Sequence, residues 1–210
     1  MKVKSLFRTL AITFLLLAAL LTTVGILRRE PGGWTPKERT IIFRSDSLMK
    51  VTVMPRDSVF LRATAIPLTE KMLGSDEVKT LIAKMLHTVT DPSQDGVGIA
   101  APQVGISRRI VLVQRFDLPG EPFVAFLNPQ IDSLFGEVLP GPEGCLSVPG
   151  KRGIVRRNRS LILSYVDGET LDAHRDTIEG FTAVIVQHEC DHLDGVLYTD
   201  RADSLWTVSD

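Results

Sequence analysis

The sequence predicts an α+β protein in which mixed or antiparallel strands pack around a central buried helix, with a transmembrane helix at the N-terminus. Apolar residues recur at helical spacing in two segments, and β-branched residues are concentrated in three short runs. Helices and strands do not alternate strictly, which argues against a doubly wound sheet. The central helix carries an HExxH sequence, since residues 187–192 read QHECDH. The domain is therefore expected to be organised around this helix.

The bulk composition is that of an ordinary globular protein. A chain of 210 residues has room for one domain plus an appendage. The formal net charge of -1 gives no sign of a nucleic-acid partner, and no direct nucleic-acid binding is predicted. The two cysteines, Cys145 and Cys190, are too few for a disulfide scaffold, so each is considered separately for thiol chemistry or metal binding.

The N-terminus is predicted to be a separate membrane segment. Residues 10–27 are apolar or threonine, carry no charge and have basic residues on both sides. At the helical rise these 18 residues span about 27 Å, close to the thickness of a bilayer core. Residues 1–29 are therefore expected to be a membrane anchor or an uncleaved signal, with a cleaved signal peptide as the alternative.

The basic residues also predict a location, and the composition predicts a linker. More basic residues follow the apolar run than precede it, which favours a catalytic domain that faces the cytoplasm. Export is the alternative, because a short basic tail before an apolar run is typical of an export signal. Residues 30–56 contain a Pro-Gly-Gly turn and are expected to be a linker with a short strand around Ile41 to Phe43. The catalytic domain is expected to cover residues 57–210.

Two helices are predicted in this domain. Ser75 is a good N-cap, and two acidic residues follow it in the first turn. The helix that begins there is expected to end before Asp91, because Pro92 disfavours helical geometry in the residue before it. The second helix is predicted over about residues 181–193, is stopped by Gly195 and is mostly apolar, so it is expected to be buried. Strands are predicted at residues 108–116, 123–127 and 160–166.

Two histidines on the second helix point to a metal site. His188 and His192 are four residues apart, so they share one face of a helix and could hold one ion, with Glu189 beside it as a proton carrier. A third ligand is needed, and Cys145 lies 43 residues upstream of His188 after a turn-rich stretch. A thiolate at this position would complete a Cys-His-His site with a fourth position open for water.

A glycine-rich segment adds a candidate binding loop. Residues 96–105 read GVGIAAPQVG, and their small side chains let the backbone approach a ligand closely. Gln103 brings an uncharged amide donor to this loop. An ordinary tight turn is the alternative interpretation of the glycine pattern alone.

The three segments together resemble the peptide deformylase family. The chain carries the family's three motifs complete and in order, and weaker resemblance covers most of residues 57–200. The N-terminal apolar segment departs from the family, whose members are usually soluble, and this departure bears on location and not on chemistry. The motifs are GVGIAAPQ at 96–103, EGCLS at 143–147 and QHECDHLDG at 187–195.

This resemblance implies a metal-dependent hydrolase that removes the N-formyl group from the N-terminal methionine of newly made polypeptides and releases formate. It implies that Fe2+ is the native ion, with Zn2+, Ni2+ or Co2+ as substitutes. Glu189 would take a proton from the attacking water, while the Gln103 side chain and the Leu146 backbone N–H stabilise the developing oxyanion. The metal ligands would be Cys145, His188 and His192.

The resemblance also implies partners and a substrate site. The partners would be N-formyl-methionyl peptides or nascent chains, and the N-terminal helix would add the membrane. The backbone at Val97 and Gly98 would bind the extended substrate, and a pocket would receive its first side chain. The residues expected to line this pocket are Val97, Phe181, Val184 and Ile185; the last three also lie on the helix face that carries His188.

Outer residues of the site can be predicted as well. The family's motif glutamate pairs with an arginine in the next strand, so Glu143 is expected to pair with Arg157. Asp191 is expected to orient a ligand or brace a neighbouring loop. Cys190 lies roughly 200° around the helix from His188 and is expected to be a small buried hydrophobe.

Two other functions remain open from the sequence. A membrane-tethered HExxH zinc peptidase is disfavoured, because such enzymes take a His or Glu downstream as the third ligand and neither follows His192. A non-enzymatic member of the family could retain the fold as a binding module, or join Cys145 to Cys190 in a disulfide. The presence of Gln103 and Glu189 argues against it, since a binding module has no use for a proton carrier.

Overall fold

The computed structural model describes residues 33–94 and 96–208. The chain divides into two compact units, Met1–Thr35 and Pro36–Asp210. The helices of the second unit are α1 (Pro36–Ile42), α2 (Ser58–Leu61), α3 (Glu70–Leu73), α4 (Asp76–Val89), α5 (Gly180–Leu193) and α6 (Tyr198–Arg201).

The strands of the same unit form one antiparallel sheet. They are β1 (Gly98–Ala100), β2 (Ile110–Gln114), β3 (Phe123–Gly144), β4 (Lys151–Asp167), β5 (Ala173–Glu179) and β6 (Ala202–Thr207). The order is β1-β2-β3-β4-β5, and β6 pairs with the first part of β4 while β5 pairs with its last part. A short 3-10 helix, Ala101–Val104, follows β1 directly.

Helix α5 packs against the sheet and forms the centre of the domain. Its apolar residues join side chains of β2, β3 and β4 in one buried cluster that includes Val111, Phe126, Leu163 and Val186. β2 reads IVLVQ and is buried on both faces over its first four residues, as expected for a strand covered on both sides. Two buried polar side chains of the helix find partners inside the protein: Gln187 bonds to the Asn158 and Ala183 carbonyl groups, and Asp191 accepts bonds from Arg157 and Arg201.

The two predicted helices are confirmed. α4 begins after Ser75, whose hydroxyl accepts a hydrogen bond from the Val78 N–H at 3.4 Å, and ends two residues before Asp91. α5 covers the predicted segment to within one residue. The predicted strands are also present, but β3 and β4 extend far beyond them and pair with each other along most of their length.

The N-terminal side of the domain differs from the prediction. The short strand expected around Ile41 is wrong, because residues 36–42 form helix α1 instead. Ile42 is fully buried, and Glu38 forms an ion pair with buried Arg108 at 2.6 Å. Part of the segment predicted as a linker is therefore packed against the domain. Arg108 is 70 residues away along the chain, so local sequence could not reveal this contact.

The fold class requires a correction at the N-terminus. Among the described residues, no helix is long and apolar enough to cross a membrane. The longest of these helices, α4 and α5, have 14 residues and span about 21 Å, short of the roughly 30 Å hydrocarbon core. The predicted transmembrane helix, residues 10–27, lies outside the described residues. The predictions of a membrane-anchored location and of the membrane as a partner are corrected together with the fold class, because the described helices give them no support.

Candidate active site

Three potential metal ligands meet between α5 and the loop that follows β3. The α5 helix presents His188 and His192 one turn apart, with ring centroids separated by 5.1 Å. The loop brings Cys145 to them, and its Sγ lies 3.2 Å from Nε2 of His192. One donor atom from each residue lies within 4.8 Å of the others. The fold therefore brings two imidazoles to a sulfur that lies 43 and 47 residues before them in sequence.

The donor group corrects the fold-class prediction a second time. That prediction described the centre by an HExxH sequence, whereas the group that could hold a metal is Cys145, His188 and His192. The helix supplies two of the three donors, and the third comes from a separate loop. Tertiary packing, and not the helical repeat alone, assembles this group.

The donor group fits a divalent cation. A tetrahedral ion with metal–sulfur and metal–nitrogen bonds of ordinary length holds these two donors about 3.5 Å apart, close to the distance found between Cys145 and His192. Among the described residues, Glu189 Oε2 and His192 Nδ1 are buried polar atoms without a hydrogen-bond partner. Buried polar atoms normally have a hydrogen-bond partner, and a metal with its bound water would supply one to the Glu189 oxygen. The adjacent sulfur and imidazole donors are of the types that bind such a metal.

A buried ion-pair network orients His188. Its Nδ1 lies 2.8 Å from Glu143 Oε2, so the ring donates there and turns Nε2 toward the other donors. Arg157 binds both oxygens of Glu143, at 2.8 and 3.1 Å, and donates to Asp191 at 2.6 Å. Arg201 completes the network with two bonds of 2.7 Å to Asp191. The predicted Glu143–Arg157 pair is confirmed, and Asp191 braces the network from the other side.

The charges in this network set the protonation of the donors. Burial raises the pKa of Glu143, but hydrogen bonds from His188 and Arg157 outweigh it and lower that pKa to about 2. Burial likewise raises the pKa of the Cys145 thiol, yet the adjacent charge of His192 and hydrogen bonds from both histidines hold it well below its usual value. A thiolate is the form of cysteine that binds metals, so these neighbours favour the metal-binding form of Cys145.

Glu189 lies beside the donor group and against β1. Burial raises the pKa of its carboxyl to about 7. Gly98 gives it room, because a Cβ at residue 98 would lie 2.6 Å from Glu189 Oε1 and 2.7 Å from Ile185 Cγ2. The glycine predicted to permit a close approach by a ligand is therefore approached closely by a side chain of the protein itself.

Two hydrogen-bond donors lie beside Cys145, one from the Gln103 segment and one from the residue that follows the cysteine. The Gln103 side-chain oxygen accepts from the Ala100 N–H at 2.8 Å, which leaves its amide nitrogen to point at Cys145 Sγ, 3.5 Å away. The Leu146 N–H follows the cysteine and donates to no acceptor within residues 33–94 and 96–208. The arrangement provides one side-chain N–H and one backbone N–H at the edge of the donor group.

A cavity of about 450 Å³ opens over these groups. Its walls include every residue predicted for the site except His192, which lies deeper and is 1% exposed. Phe181 stands half exposed at the side of the cavity, where its ring centroid lies 5.3 Å from that of Phe116. The predicted residues that line the cavity are Val97, Gly98, Gln103, Cys145, Leu146, Phe181, Val184, Ile185, His188 and Glu189.

Several residues of the site were not predicted from the sequence. Lys151, Arg152 and Val208 line the outer part of the cavity, and Arg201 joins the ion-pair network. The Lys-Arg pair shortly after the EGCLS motif is a signal that could have indicated a basic rim. Val208 and Arg201 reach the site only because β6 pairs with β4, which gives no local signal.

The two cysteines have separate environments. Both are free thiols, so the disulfide considered from the sequence is not formed. Cys190 is 5% exposed and belongs to the central apolar cluster, as predicted. Burial raises its pKa to about 12, which makes it a poor nucleophile and a poor ligand.

Comparison with known proteins agrees with this geometry. Residues 48–207 match the family model described as polypeptide deformylase. A peptide deformylase of Leptospira biflexa is 42% identical over 151 residues, which cover 69% of this chain and 83% of that protein. Peptide deformylase 2 of Pseudomonas putida is 43% identical over 143 residues, covering 65% and 79%.

A solved peptide deformylase structure has a similar fold. The class I type b peptide deformylase of Acinetobacter baumannii, in its Met-Ala-Ser-bound crystal structure, has a TM-score of 0.66 and is 36% identical. The match covers 73% of this chain and 98% of that one. These similarities favour the deformylase over the zinc peptidase that the sequence left as the alternative.

Proposed function

The chain belongs to the polypeptide deformylase family, and on that premise we propose a catalytic role for each residue of the site. Members of this family are metal-dependent enzymes that remove the N-formyl group from nascent polypeptides. The chain is an enzyme of this type, and its substrates are N-formyl-methionyl peptides. The identity of the metal, the catalytic roles and the substrate contacts are proposed.

Cys145, His188 and His192 hold the metal ion. Their donor set of one thiolate and two imidazoles suits zinc or ferrous iron, and the family resemblance favours Fe2+, with Zn2+, Ni2+ or Co2+ as substitutes. When bound, the ion supplies Lewis-acid chemistry, which lowers the pKa of water toward neutrality and polarises the formyl oxygen. Metal analysis of protein purified without oxygen tests the choice of iron, and zinc as the sole ion under those conditions would contradict it.

Glu189 carries the proton. A general base works best when its pKa lies near the operating pH, and burial gives Glu189 a pKa of about 7. It accepts a proton from the attacking water and later delivers it to the departing amine. Its Oε2 has no partner among the described residues, which leaves this oxygen available for water.

Gln103 and Leu146 stabilise the negative charge that develops on the formyl oxygen. Such donors accelerate a reaction only when they already point at the oxyanion before it forms. The bond from Ala100 to the Gln103 side-chain oxygen fixes the amide in one orientation. Removal of a single donor of this kind costs about 10²–10³ in kcat, so Gln103→Ala is expected to lose activity in this range.

The substrate lies along β1 and places its methionine side chain in an apolar pocket. The backbone of Val97 and Gly98 binds the extended peptide, and Phe181, Val184 and Ile185 form the pocket together with the Val97 side chain. The Acinetobacter baumannii relative binds Met-Ala-Ser, which supports a product of this type for the present chain. Apolar walls of this kind suit a thioether, which fills irregular space without needing a polar partner.

One observation carries the proposal: the donors of Cys145, His188 and His192 lie within 4.8 Å of one another, beside a cavity that Cys145, His188 and Glu189 line. The test is formate release from formyl-Met-Ala-Ser by the metal-loaded protein. Acetyl-Met-Ala-Ser and an internal peptide serve as controls. Selective release from the formyl peptide is expected, and cleavage of the internal peptide without formate release would overturn the proposal.

A further inference from the structure

A short segment outside all three motifs connects the two loops that carry the oxyanion donors. The Thr52 N–H donates to the Gln103 carbonyl oxygen at 2.8 Å, and the Met54 N–H donates to the Ser147 carbonyl oxygen at 2.8 Å. Ser147 is the next residue after Leu146. The segment 52–54 thus holds one loop through Gln103 and the other through the neighbour of Leu146.

Thr52 is attached to the Gln103 loop by a second bond. Its hydroxyl donates to the Pro102 carbonyl oxygen at 3.0 Å, so two consecutive carbonyl groups of the 3-10 helix are held by one residue. The rest of the segment is fixed as well. The Val53 N–H donates to Asp57 Oδ2 at 2.8 Å, and Met54 packs on the apolar cluster that contains Tyr198.

We propose that Thr52 is a positioning residue for the oxyanion site, a role that rests on the function proposed above. The Pro102 carbonyl belongs to the peptide unit before Gln103, and the Gln103 carbonyl belongs to the unit after it. The two bonds therefore fix both peptide planes that meet at the Gln103 Cα, and these planes set the direction in which its side chain leaves the backbone. Thr52 itself does not line the active-site cavity, so it acts through Gln103 and not on the substrate.

The chemistry makes this position sensitive. Oxyanion donors contribute through their prior alignment, and misplacement of a reacting group by about 1 Å can cost on the order of 10²-fold in rate. Loss of the Thr52 hydroxyl leaves the hydrogen bond from the Thr52 N–H to the Gln103 carbonyl oxygen in place. The 3-10 helix therefore keeps one of its two bonds to Thr52. We expect kcat to fall about tenfold, a part of the 10²–10³ attributed to one complete donor.

The experiment compares three variants of the full-length, metal-loaded enzyme. Thr52→Val removes the hydroxyl and retains the shape, while Thr52→Ser retains the hydroxyl. Thr40→Val is the matched control, because the Thr40 hydroxyl also donates to a proline carbonyl, that of Pro36, at 2.9 Å on the exposed side of helix α1. For formyl-Met-Ala-Ser we expect Thr52→Val to lower kcat with KM nearly unchanged, and the other two variants to retain kcat.

A spectroscopic readout separates positioning from general loss of structure. The Gln103 side-chain amide gives two proton resonances, which can be assigned by their absence in Gln103→Ala. We expect them to shift or broaden in Thr52→Val and to remain in place in Thr52→Ser and Thr40→Val. If Thr52→Val does not fold, Thr52→Ala removes the same hydroxyl with less bulk and must show the same loss of kcat.

The outcomes distinguish this inference from the proposed function. If Gln103→Ala lowers kcat but neither Thr52→Val nor Thr52→Ala does, the positioning role is refuted and the oxyanion site stands. If Gln103→Ala retains full kcat, the oxyanion role of Gln103 fails and the inference fails with it. An equal loss of kcat in Thr40→Val would assign the effect to general stability and would also refute the role of Thr52.

Discussion

Replacement of Glu143 by glutamine should weaken both the fold and the metal site. The glutamate side chain is 7% exposed and receives two bonds from Arg157 and one from His188. Glutamine has nearly the same shape, but it has no charge and turns an N–H2 group toward one of these donors. Removal of one partner of a buried ion pair costs about 3–5 kcal/mol, because the other charge stays buried.

The lowered pKa of Glu143 leads to a stability effect of similar size. Hydrogen bonds from His188 and Arg157, opposed by burial, lower the pKa of Glu143 from 4.5 to about 2. At about 1.4 kcal/mol per pKa unit, this shift corresponds to roughly 3 kcal/mol of stability in the metal-free protein. Because the folded-state pKa is depressed, this stability is present above pH 4.5 and is lost as the pH falls toward 2.

Denaturant unfolding of the metal-free wild type and Glu143→Gln measures this effect. We expect the free energy of unfolding to differ by about 3 kcal/mol at about pH 7 and by about half as much near pH 3. Asp203→Asn is the matched control, since it breaks the neighbouring Arg156–Asp203 pair at 2.9 Å, whose side chains are 59% and 51% exposed. An exposed pair is worth less than about 1 kcal/mol.

The same variant should bind metal more weakly. A carboxylate that orients a histidine ligand is worth about 10–100-fold in metal affinity, because it fixes the ring and raises its basicity. Competition with a chelator measures this affinity in Glu143→Gln and in Asp203→Asn. If Glu143→Gln and Asp203→Asn have the same free energy of unfolding and the same metal affinity, Glu143 does not act through His188 and the reasoning is refuted.

Three further predictions concern the cavity itself. Gly98→Ala should lose about 10²-fold in kcat, because the added Cβ lies 2.6 Å from Glu189 Oε1 and displaces the carboxylate. Formate release measures this loss, and circular dichroism should show a normal fold. Glu189→Ala should retain near-normal metal content and lose turnover, so an active variant would end its role in proton transfer. Cys145→Ser should lower metal content in the purified protein, whereas Cys190→Ser should leave it unchanged, and equal loss in both would contradict the separate roles of the two thiols.

Helices α4 and α5 could be predicted because their signals are local. The apolar repeat of α4 and its Ser75 cap lie within one stretch of chain, and so do the buried residues of α5. The long strands were only partly predicted. Residues 129–142 of β3 contain three prolines and two glycines, which conceal a strand when sequence is considered alone, and pairing with β4 holds them extended.

The N-terminal part of the domain was missed for a related reason. Residues 36–54 contain no strong repeat, and the sequence Pro-Gly-Gly precedes them, so they resembled a linker. Their order comes from partners far along the chain: Glu38 binds Arg108, and Thr52 binds the Gln103 loop. Bonds of this kind leave no pattern in the segment that they fix.

The sequence by itself determined the chemistry of this protein. Residue types and short spacings decided that two imidazoles share a helix face with a carboxylate beside them, because helical geometry repeats over a few residues. Only the tertiary structure decided that the Cys145 sulfur lies 3.2 Å from His192, that Arg201 closes an ion-pair network and that the segment 52–54 joins two loops. These contacts join residues from 10 positions apart, for Arg201 and Asp191, to 93 positions apart, for Met54 and Ser147, and only the packing of the chain brings them together.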